Sequence, residues 1–259
     1  MDDRRRKIVL SPHYDDFILS LGGFAMQWQA DYCIVEDWIV FSRGNYVFGD
    51  TLGNADFSAD RSDKISLQRY NEELLAAAEL GIESVKKLGC QEIIFRGRNN
   101  YMAPSQKAYP LTVKDQEAAG IIRAAVAPLL DQPVDLFIPM AFQGHYDHIL
   151  LRETVCHMLA KRNKKPTASI FFYEDLPYAA EASWRERLQM QLIMRRWKLR
   201  AIIAPIDLES KLNLLRHYPS QDDPSYASGI TVRACFLQKK YHLDAPGERV
   251  FRACLNTHL

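Results

Sequence analysis

Short apolar runs rich in β-branched residues alternate along this chain with longer segments of helical periodicity. The alternation is typical of βαβ units, so we expect an α/β fold with helices on both faces of a mainly parallel sheet. The predicted strands are Lys7–Leu10, Cys33–Phe41, Glu92–Phe95, Val134–Met140, Ser169–Tyr173 and Ala201–Pro205. The predicted helices are Ser62–Leu88, Val113–Leu130, Ile149–Arg162, Ser183–Trp197 and Leu208–His217.

The length of the chain is compatible with one large core. No shift in composition marks a boundary within the 259 residues, so residues 1–259 are expected to form one domain. The last ~40 residues are interpreted as additional strands on the same core. The segment from Gly44 to Arg61 is rich in Gly, Asn and Asp and has no periodicity, which predicts a long and functional loop.

The charge balance argues against several kinds of partner. With 33 Lys and Arg against 32 Asp and Glu, the net charge of +1 gives no electrostatic attraction for nucleic acid. Five scattered cysteines without a CxxC pair predict reduced thiols and a cytoplasmic location. Neither a membrane span nor a signal peptide is apparent. Nucleic acid and a membrane span are therefore not expected, and the oligomeric state stays open.

Two polar clusters come directly after two of the predicted strands. The sequence SPHYDDF follows the strand KIVL, and GHYDH follows the strand VDLFIPMAF. Because ligands of open α/β sheets bind at the carboxyl ends of the strands, both clusters are expected at one site. The side chains that could ligate a metal or act as bases are His13, Asp15, Asp16, His145, Asp147 and His148.

The chemistry of these clusters suits one hydrolytic metal ion. Zinc accepts imidazole and carboxylate ligands, and a catalytic zinc keeps one position open for water. A neighbouring carboxylate can take the proton of the attacking water, and a histidine can assist the leaving group. Adjacent side chains point apart, so Asp15 and Asp16 are expected to serve as one ligand and one base. Helix capping by either aspartate is the alternative, although it explains one cluster more readily than two.

Two other functions use similar residues. A metal-dependent phosphoesterase shares the H-x-D pattern but usually requires two ions and more bridging carboxylates. A non-catalytic sugar- or nucleotide-binding α/β module is the second alternative. Gly22-Gly23 is not a GxGxxG fingerprint and lies inside a helical stretch, which argues against that module.

The two clusters resemble the signatures of the PIG-L/LmbE family of metal-dependent N-acetylglucosaminyl deacetylases. The family motifs A/S-P-H-P-D-D-E and H-P-D-H correspond to Ser11–Phe17 and His145–His148. The segments Arg69–Ile82 and Ser210–Gln221 resemble two further family motifs, in the family's order. Both motif prolines are tyrosine here and the usual glutamate is phenylalanine. These departures leave the predicted ligands and base intact and leave the substrate open.

The resemblance implies a Rossmann-like α/β fold and removal of an acetyl group from the nitrogen of an amino sugar, with Zn²⁺ as cofactor. The implied metal ligands are His13, Asp16 and His148. Asp15 would be the general base acting on metal-bound water. His145 would stabilise the oxyanion or protonate the departing amine, and Asp147 would orient the His145 ring.

Two arginines are candidates for contacts with the substrate. Arg69 lies one turn from Glu72 on a predicted helix, where a structural i,i+3 pair is an equal alternative. Arg98 belongs to the stretch RGRNNYMAP, placed where family members often carry an acidic residue that contacts a sugar hydroxyl; a plain loop is an equal alternative there. Two acidic residues at the end of a further strand are candidates for contacts at the rim, Glu174 and Asp175.

Overall fold

In the computed structural model, which describes residues 5–48, 58–98 and 111–255, seven strands form one sheet. They are β1 (Arg6–Ser11), β2 (Ile34–Ile39), β3 (Ser84–Lys87), β4 (Val134–Pro139), β5 (Ser169–Tyr173), β6 (Leu199–Pro205) and β7 (Gly247–Ala253). Their order across the sheet is β3-β2-β1-β4-β5-β7-β6. Every pairing is parallel except the two made by β7. The mainly parallel sheet is confirmed.

Helices cover both faces of this sheet, as predicted. They are α1 (Asp16–Ala30), α2 (Ala59–Leu80), α3 (Val113–Val126), α4 (Tyr146–Ala160), α5 (Tyr178–Glu181), α6 (Trp184–Arg196), α7 (Leu208–Leu214) and α8 (Pro224–Tyr241). Along β1, Ile8 and Leu10 pack into a core with α3 and α4, whereas Val9 packs into a second core with α1 and α2. Within the described residues, no helix has the length and apolar character needed to cross a membrane.

The third strand lies elsewhere than predicted. The helix predicted over Ser62–Leu88 ends at Leu80, because Gly81 adopts a left-handed conformation with φ of 64°. The next residues form β3 at the edge of the sheet, where three of its four side chains are exposed, so no apolar pattern marks the strand. The apolar run predicted as the strand Glu92–Phe95 instead forms a 3₁₀ turn over Ile93–Arg96.

The C-terminal segment also differs from its prediction as additional strands. In the part of it that the structure describes, only β7 is a strand; the preceding segment forms α8, which packs on β7. Asp223 caps this helix by accepting a hydrogen bond from the Ser225 N–H at 2.8 Å, and Pro224 occupies its first turn. The buried residues Ile230, Ala234 and Leu237 follow at helical spacing. The capping signal and this period were both readable in the sequence.

Helix α1 makes its close contact with the neighbouring segments at Gly23, the second of its two glycines. Glu248 accepts hydrogen bonds from the N–H groups of Gly23 and Phe24 at 3.1 and 2.8 Å. The same carboxylate pairs with the fully buried ammonium group of Lys211 on α7. A Cβ at Gly23 would lie 2.5 Å from Cγ2 of Ile206, whereas a Cβ at Gly22 would have its nearest neighbour at 3.4 Å.

This packing predicts opposite effects for the two glycines. Gly23→Ala should lower the free energy of unfolding by about 1–3 kcal/mol, because both Cγ2 and Cβ of Ile206 would lie within 2.7 Å of the new Cβ and must shift. Gly22→Ala should be neutral or stabilise by up to ~1 kcal/mol, because alanine favours the helix and its Cβ fits. Urea denaturation of both variants measures the difference. Equal effects at the two positions would contradict the described approach of α1 to Ile206.

Candidate active site

The two polar clusters meet at the carboxyl edge of the sheet. β1 and β4 are neighbouring central strands, and helices α1 and α4 begin directly after them at Asp16 and Tyr146. The ring centroids of His13, His145 and His148 lie 4.9 to 5.4 Å apart. The six side chains singled out from the sequence are therefore brought together by adjacent strands, as the rule for open sheets requires.

Three of these side chains form a candidate metal site. Oδ2 of Asp16 lies 3.2 Å from Nδ1 of His13 and 3.4 Å from Nε2 of His148. Nε2 of His148 is buried and has no hydrogen-bond partner among the described residues. Because an unpaired buried nitrogen is costly, a cation between these three groups would satisfy it. Two imidazoles and a carboxylate are also the donor set of a catalytic zinc, so the residues fit such an ion.

The carboxylates around His13 also favour a metal ion at this place. Burial lowers its pKa, but hydrogen bonds to Asp147 and Asp16 outweigh burial and raise the pKa to about 10. Surroundings that retain a proton on an imidazole so strongly also favour a divalent cation in its place. A second set of residues, His13, His145 and Asp147, also has its possible ligand atoms within 4.8 Å of one another. The Asp147 carboxylate in this second set is already bound by Arg96, so the set that contains Asp16 is the better candidate.

In each of the two candidate ligand histidines, His13 and His148, the nitrogen that does not face Asp16 is held by a buried carboxylate. Nε2 of His13 lies 3.0 Å from Oδ2 of Asp147, and Nδ1 of His148 lies 2.5 Å from Oδ1 of Asp175. Such partners fix the tautomer and the direction of a ligand ring. Asp175 is fully buried behind His148, so its predicted position at the rim is wrong. Glu174 is likewise buried and binds two arginines of α8 and β7.

Asp147 acts on His145 through its main chain. Its N–H donates to Nδ1 of His145 at 3.2 Å, while its carboxylate binds Arg96 at 2.6 Å and His13. The contact of Asp147 with the His145 ring, which the family resemblance implies, is thus made by the main-chain N–H of Asp147. Accepting at Nδ1 leaves the proton of a neutral ring on Nε2. Burial and the neighbouring His148 and His13 hold the pKa of His145 well below its usual value.

Asp15 lies beside this site with a different set of contacts. It occupies the N-cap position of α1, yet its side chain makes no capping hydrogen bond, which speaks against the capping alternative. Its Oδ1 instead accepts from Nη2 of Arg69 at 3.3 Å. Burial and the charge of Asp16 raise the pKa of Asp15, although Arg69 opposes them. A carboxylate with a raised pKa is a stronger base.

The two candidate substrate arginines have different surroundings. Arg69 lines the cavity over the site, where it bridges Asp15 and Glu92. Arg98 does not line this cavity; its guanidinium binds Asp115 at 2.6 Å and stacks over Tyr146. The geometry therefore gives no support to a substrate contact of Arg98. Residues 49–57 of the predicted functional loop, and the two asparagines after Arg98, lie outside the described residues.

The cavity has a volume of about 260 Å³, and part of its wall was missed from the sequence. Glu92 is the clearest case. Since β3 ends at Lys87, Glu92 follows the third strand, which is where members of the similar family often carry an acidic residue. A correct placement of β3 would have identified it. Other wall residues that the sequence did not single out are Tyr46, Gln143, Tyr178, Glu181 and Tyr226.

A buried pair of carboxyl groups lies behind the site. Asp37 of β2 accepts from Ser11 at 2.5 Å, and Glu73 of α2 accepts from the Tyr218 hydroxyl at 2.8 Å. One further oxygen on each carboxyl, Oδ2 of Asp37 and Oε1 of Glu73, has no hydrogen-bond partner in the described chain unless the two groups share a proton. Burial raises the pKa of Asp37 to about 8 and that of Glu73 well above its usual value.

Comparisons with known proteins agree with the fold and with the family resemblance. No protein-family profile matches the chain. A 2'-N-acetylparomamine deacetylase of Streptomyces fradiae is 27% identical over 229 residues, covering 85% of this chain and 75% of the relative. The zinc-inhibited form of teicoplanin deacetylase Orf2 matches with a TM-score of 0.66 at 19% identity, over 95% of this chain and 97% of that one. An N,N'-diacetylchitobiose deacetylase from Pyrococcus horikoshii gives 0.61 at 16% identity, over 96% and 84%. The resemblance to the PIG-L/LmbE deacetylases is confirmed.

The contact between Asp175 and His148 predicts a loss of metal affinity on mutation. Asp175→Asn should weaken divalent metal binding about 10- to 100-fold, because the ring loses its charged partner. Competition with a chromophoric chelator measures the affinity. Glu174→Gln is the matched control, since it alters an equally buried neighbour bound to Arg233 and Arg249. Equal affinity losses in both variants would mean that the effect is structural.

The buried carboxyl pair predicts a pH-dependent stability. Its folded-state pKa values are raised, so its contribution is fully present below the usual aspartate value of 3.8 and is lost as the pH rises toward about 8. Glu73→Gln should reduce this loss by about 1 kcal/mol or more between pH 5 and pH 8, because its amide can donate to Asp37. Urea denaturation across that range is the measurement. An unchanged pH slope would show that the pair is ionised in the folded protein.

Proposed function

We propose that this chain is a zinc-dependent N-deacetylase that removes the acetyl group from the nitrogen of an amino sugar or a related small molecule. The observation that carries the proposal is the set formed by His13, Asp16 and His148, with Asp15 and His145 facing the same cavity. The 2'-N-acetylparomamine deacetylase, related over most of the chain, supports this type of reaction.

The residues proposed to hold the ion are His13 through Nδ1, Asp16 through its carboxylate and His148 through Nε2. When bound, zinc supplies a Lewis acid that polarises a carbonyl and makes water acidic near neutral pH. Another divalent transition metal could use the same donors. Asp147 and Asp175 bind the other nitrogen of each ring, so Nδ1 of His13 and Nε2 of His148 are left to hold the ion.

Two further side chains carry the proton transfers in this proposal. Asp15 accepts a proton from the attacking water, and Arg69 holds its carboxylate at the cavity wall. The low pKa of His145 keeps its ring neutral, with the proton on Nε2. That N–H stabilises the developing charge on the carbonyl oxygen, and the proton that Asp15 takes from water passes on to the departing amine.

The alternative functions have less support in the described residues. The two candidate metal sets share His13, so they do not form the pair of separate ion sites that a two-metal phosphoesterase requires. A non-catalytic binding module would not need the unpaired buried Nε2 of His148, nor an Asp15 side chain that makes no capping hydrogen bond.

The biological setting is proposed on the same basis. We expect residues 1–259 to act as one domain in the cytoplasm, on a small N-acetylated substrate, with a glycoside as the simplest case. Nucleic acid is not expected as a partner, given a net charge of +1.

The test of this proposal is acetate release by the metal-loaded protein from a panel of N-acetylated amino sugars. The panel includes N-acetylglucosamine as the simplest compound, together with N,N'-diacetylchitobiose and 2'-N-acetylparomamine, after which two of the similar deacetylases are named. Release above that of the chelator-treated protein is the expected result. Absence of release from every compound, in protein shown to hold its metal, would contradict the proposed reaction.

The adjacent aspartates are predicted to fail in different ways. Asp15→Asn should retain the metal and lose activity by about 10²- to 10⁴-fold, as expected for a missing general base. Asp16→Asn should instead weaken metal binding, and added zinc should restore part of the activity. Metal content and turnover are measured on the same preparations. If Asp15→Asn loses its metal while Asp16→Asn keeps it, the two roles are reversed.

A further inference from the structure

Helix α6 presents large apolar side chains to the solvent. Trp184, Leu188 and Leu192 are 70, 51 and 59% exposed, and they follow one another at intervals of four residues. That spacing places all three in one row along the helix, which we call the apolar stripe. The outer face of a helix in a globular protein ordinarily carries polar side chains. A row of large apolar side chains on that face therefore indicates a binding surface.

The apolar stripe is not the face that attaches α6 to the protein. Met190 and Trp197 are buried in the core beneath the helix, and Ile193 packs against the same core. At about 100° per residue, these three positions lie on the side of the helix opposite to Leu188. The contacts that hold α6 in place are thus made by another face, and the stripe is left for a partner.

Arginines lie on both sides of the apolar stripe. By the same helical spacing, Arg185 and Arg196 lie along one side of it and Arg187 along the other, while Arg195 continues the stripe by one further turn. All four side chains are exposed. The guanidinium of Arg185 stacks over the Trp184 ring at 5.4 Å, so positive charge and apolar surface are in direct contact.

No acidic side chain of α6 offsets this charge on the exposed face. Glu186 is the acidic residue of the helix, and its carboxylate turns back to accept from the N–H and the hydroxyl of Ser183, both at 2.7 Å. From Ser183 to Arg200 the chain carries six basic residues and one acidic residue. Because the whole chain has a net charge of only +1, positive charge is concentrated at this helix.

Of three kinds of partner, the surface of an anionic lipid bilayer matches both features. Tryptophan and leucine side chains enter the boundary between headgroups and acyl chains, and arginines bind the phosphates beside them. A second copy of this chain would bring another set of arginines against the first, and like charges repel. Nucleic acid would pair with the arginines but would place its charged phosphates against the apolar stripe.

We infer that α6 docks this protein on the surface of a bilayer that contains anionic lipids. The helix lies along the bilayer, with the apolar stripe in the headgroup region and the four arginines at the level of the phosphates. Of the described residues that line the cavity over the candidate active site, none belongs to α6. Docking is therefore a property separate from the proposed hydrolysis, and it is tested without turnover.

The experiment measures co-sedimentation of the full chain with vesicles of phosphatidylcholine, with and without phosphatidylserine. Phosphatidylserine should tighten binding of the wild type about tenfold or more, and added salt should reverse the gain because it screens exposed charges. Leu192→Gln should weaken binding about tenfold, since it removes one apolar side chain from the stripe. Arg185→Gln should weaken it about fivefold.

Leu75→Gln is the matched control for Leu192→Gln. Leu75 lies on α2 and is 58% exposed, almost as much as Leu192, but the residue one turn further along its helix is Glu79 in place of an arginine. This variant should bind the vesicles as the wild type does. Equal losses in the two leucine variants would overturn the inference, because binding would then not depend on α6.

Tryptophan fluorescence identifies the surface that meets the lipid. Trp184 is exposed, whereas the other three tryptophans of the chain are buried, namely Trp28, Trp38 and Trp197. Brominated lipids should therefore quench the wild type and leave Trp184→Phe unquenched. Vesicle binding without quenching would assign the lipid contact to another surface and overturn the inference. Failure of the wild type to bind anionic vesicles would do the same, as would self-association abolished by Leu192→Gln, which would assign the stripe to a second copy.

Discussion

The hydrogen bonds from two buried carboxylates to two imidazoles determine the geometry of the candidate site. Asp147 holds His13 and Asp175 holds His148, each through the nitrogen that does not face Asp16. Without these partners the rings could rotate, and the unpaired nitrogen of His148 would have no fixed direction. Both carboxylates are buried next to the site, where Arg96 binds Asp147 and the proposed divalent cation would offset further negative charge.

Two buried arginines, Arg96 and Arg69, balance the remaining charge, and each bridges two carboxylates. The pairs are Asp147 and Asp115 on Arg96, and Asp15 and Glu92 on Arg69. Arg96 binds Asp115, which forms the capping box of α3, and Asp147, which binds the proposed ligand His13, so it connects the start of a helix to the candidate metal site. Arg69, which lies on α2, connects the proposed base Asp15 to Glu92 in the cavity wall. The supporting charges are thus part of the fold as well as of the site.

The sequence predicted those features that depend on neighbouring residues. The βαβ alternation and the polar clusters after β1 and β4 were readable because a strand and the turn that follows it are local patterns. The edge strand β3 was missed since its exposed side chains carry no apolar period. The hydrogen-bond partners of the two proposed ligand histidines could not be predicted from the sequence for another reason. Asp147 lies 134 residues from His13, and nothing in local spacing distinguishes a buried Asp175 from one at the rim.

The central claim is that one ion, held by two imidazoles and a carboxylate, makes this chain a hydrolase. The most direct measurement is a zinc titration of the metal-free protein in which bound metal and acetate release are followed together. Activity should rise in proportion to bound zinc and reach its maximum at one equivalent per chain. Full activity in protein freed of metal, or binding of one equivalent by His148→Ala with unchanged affinity and activity, would contradict the account.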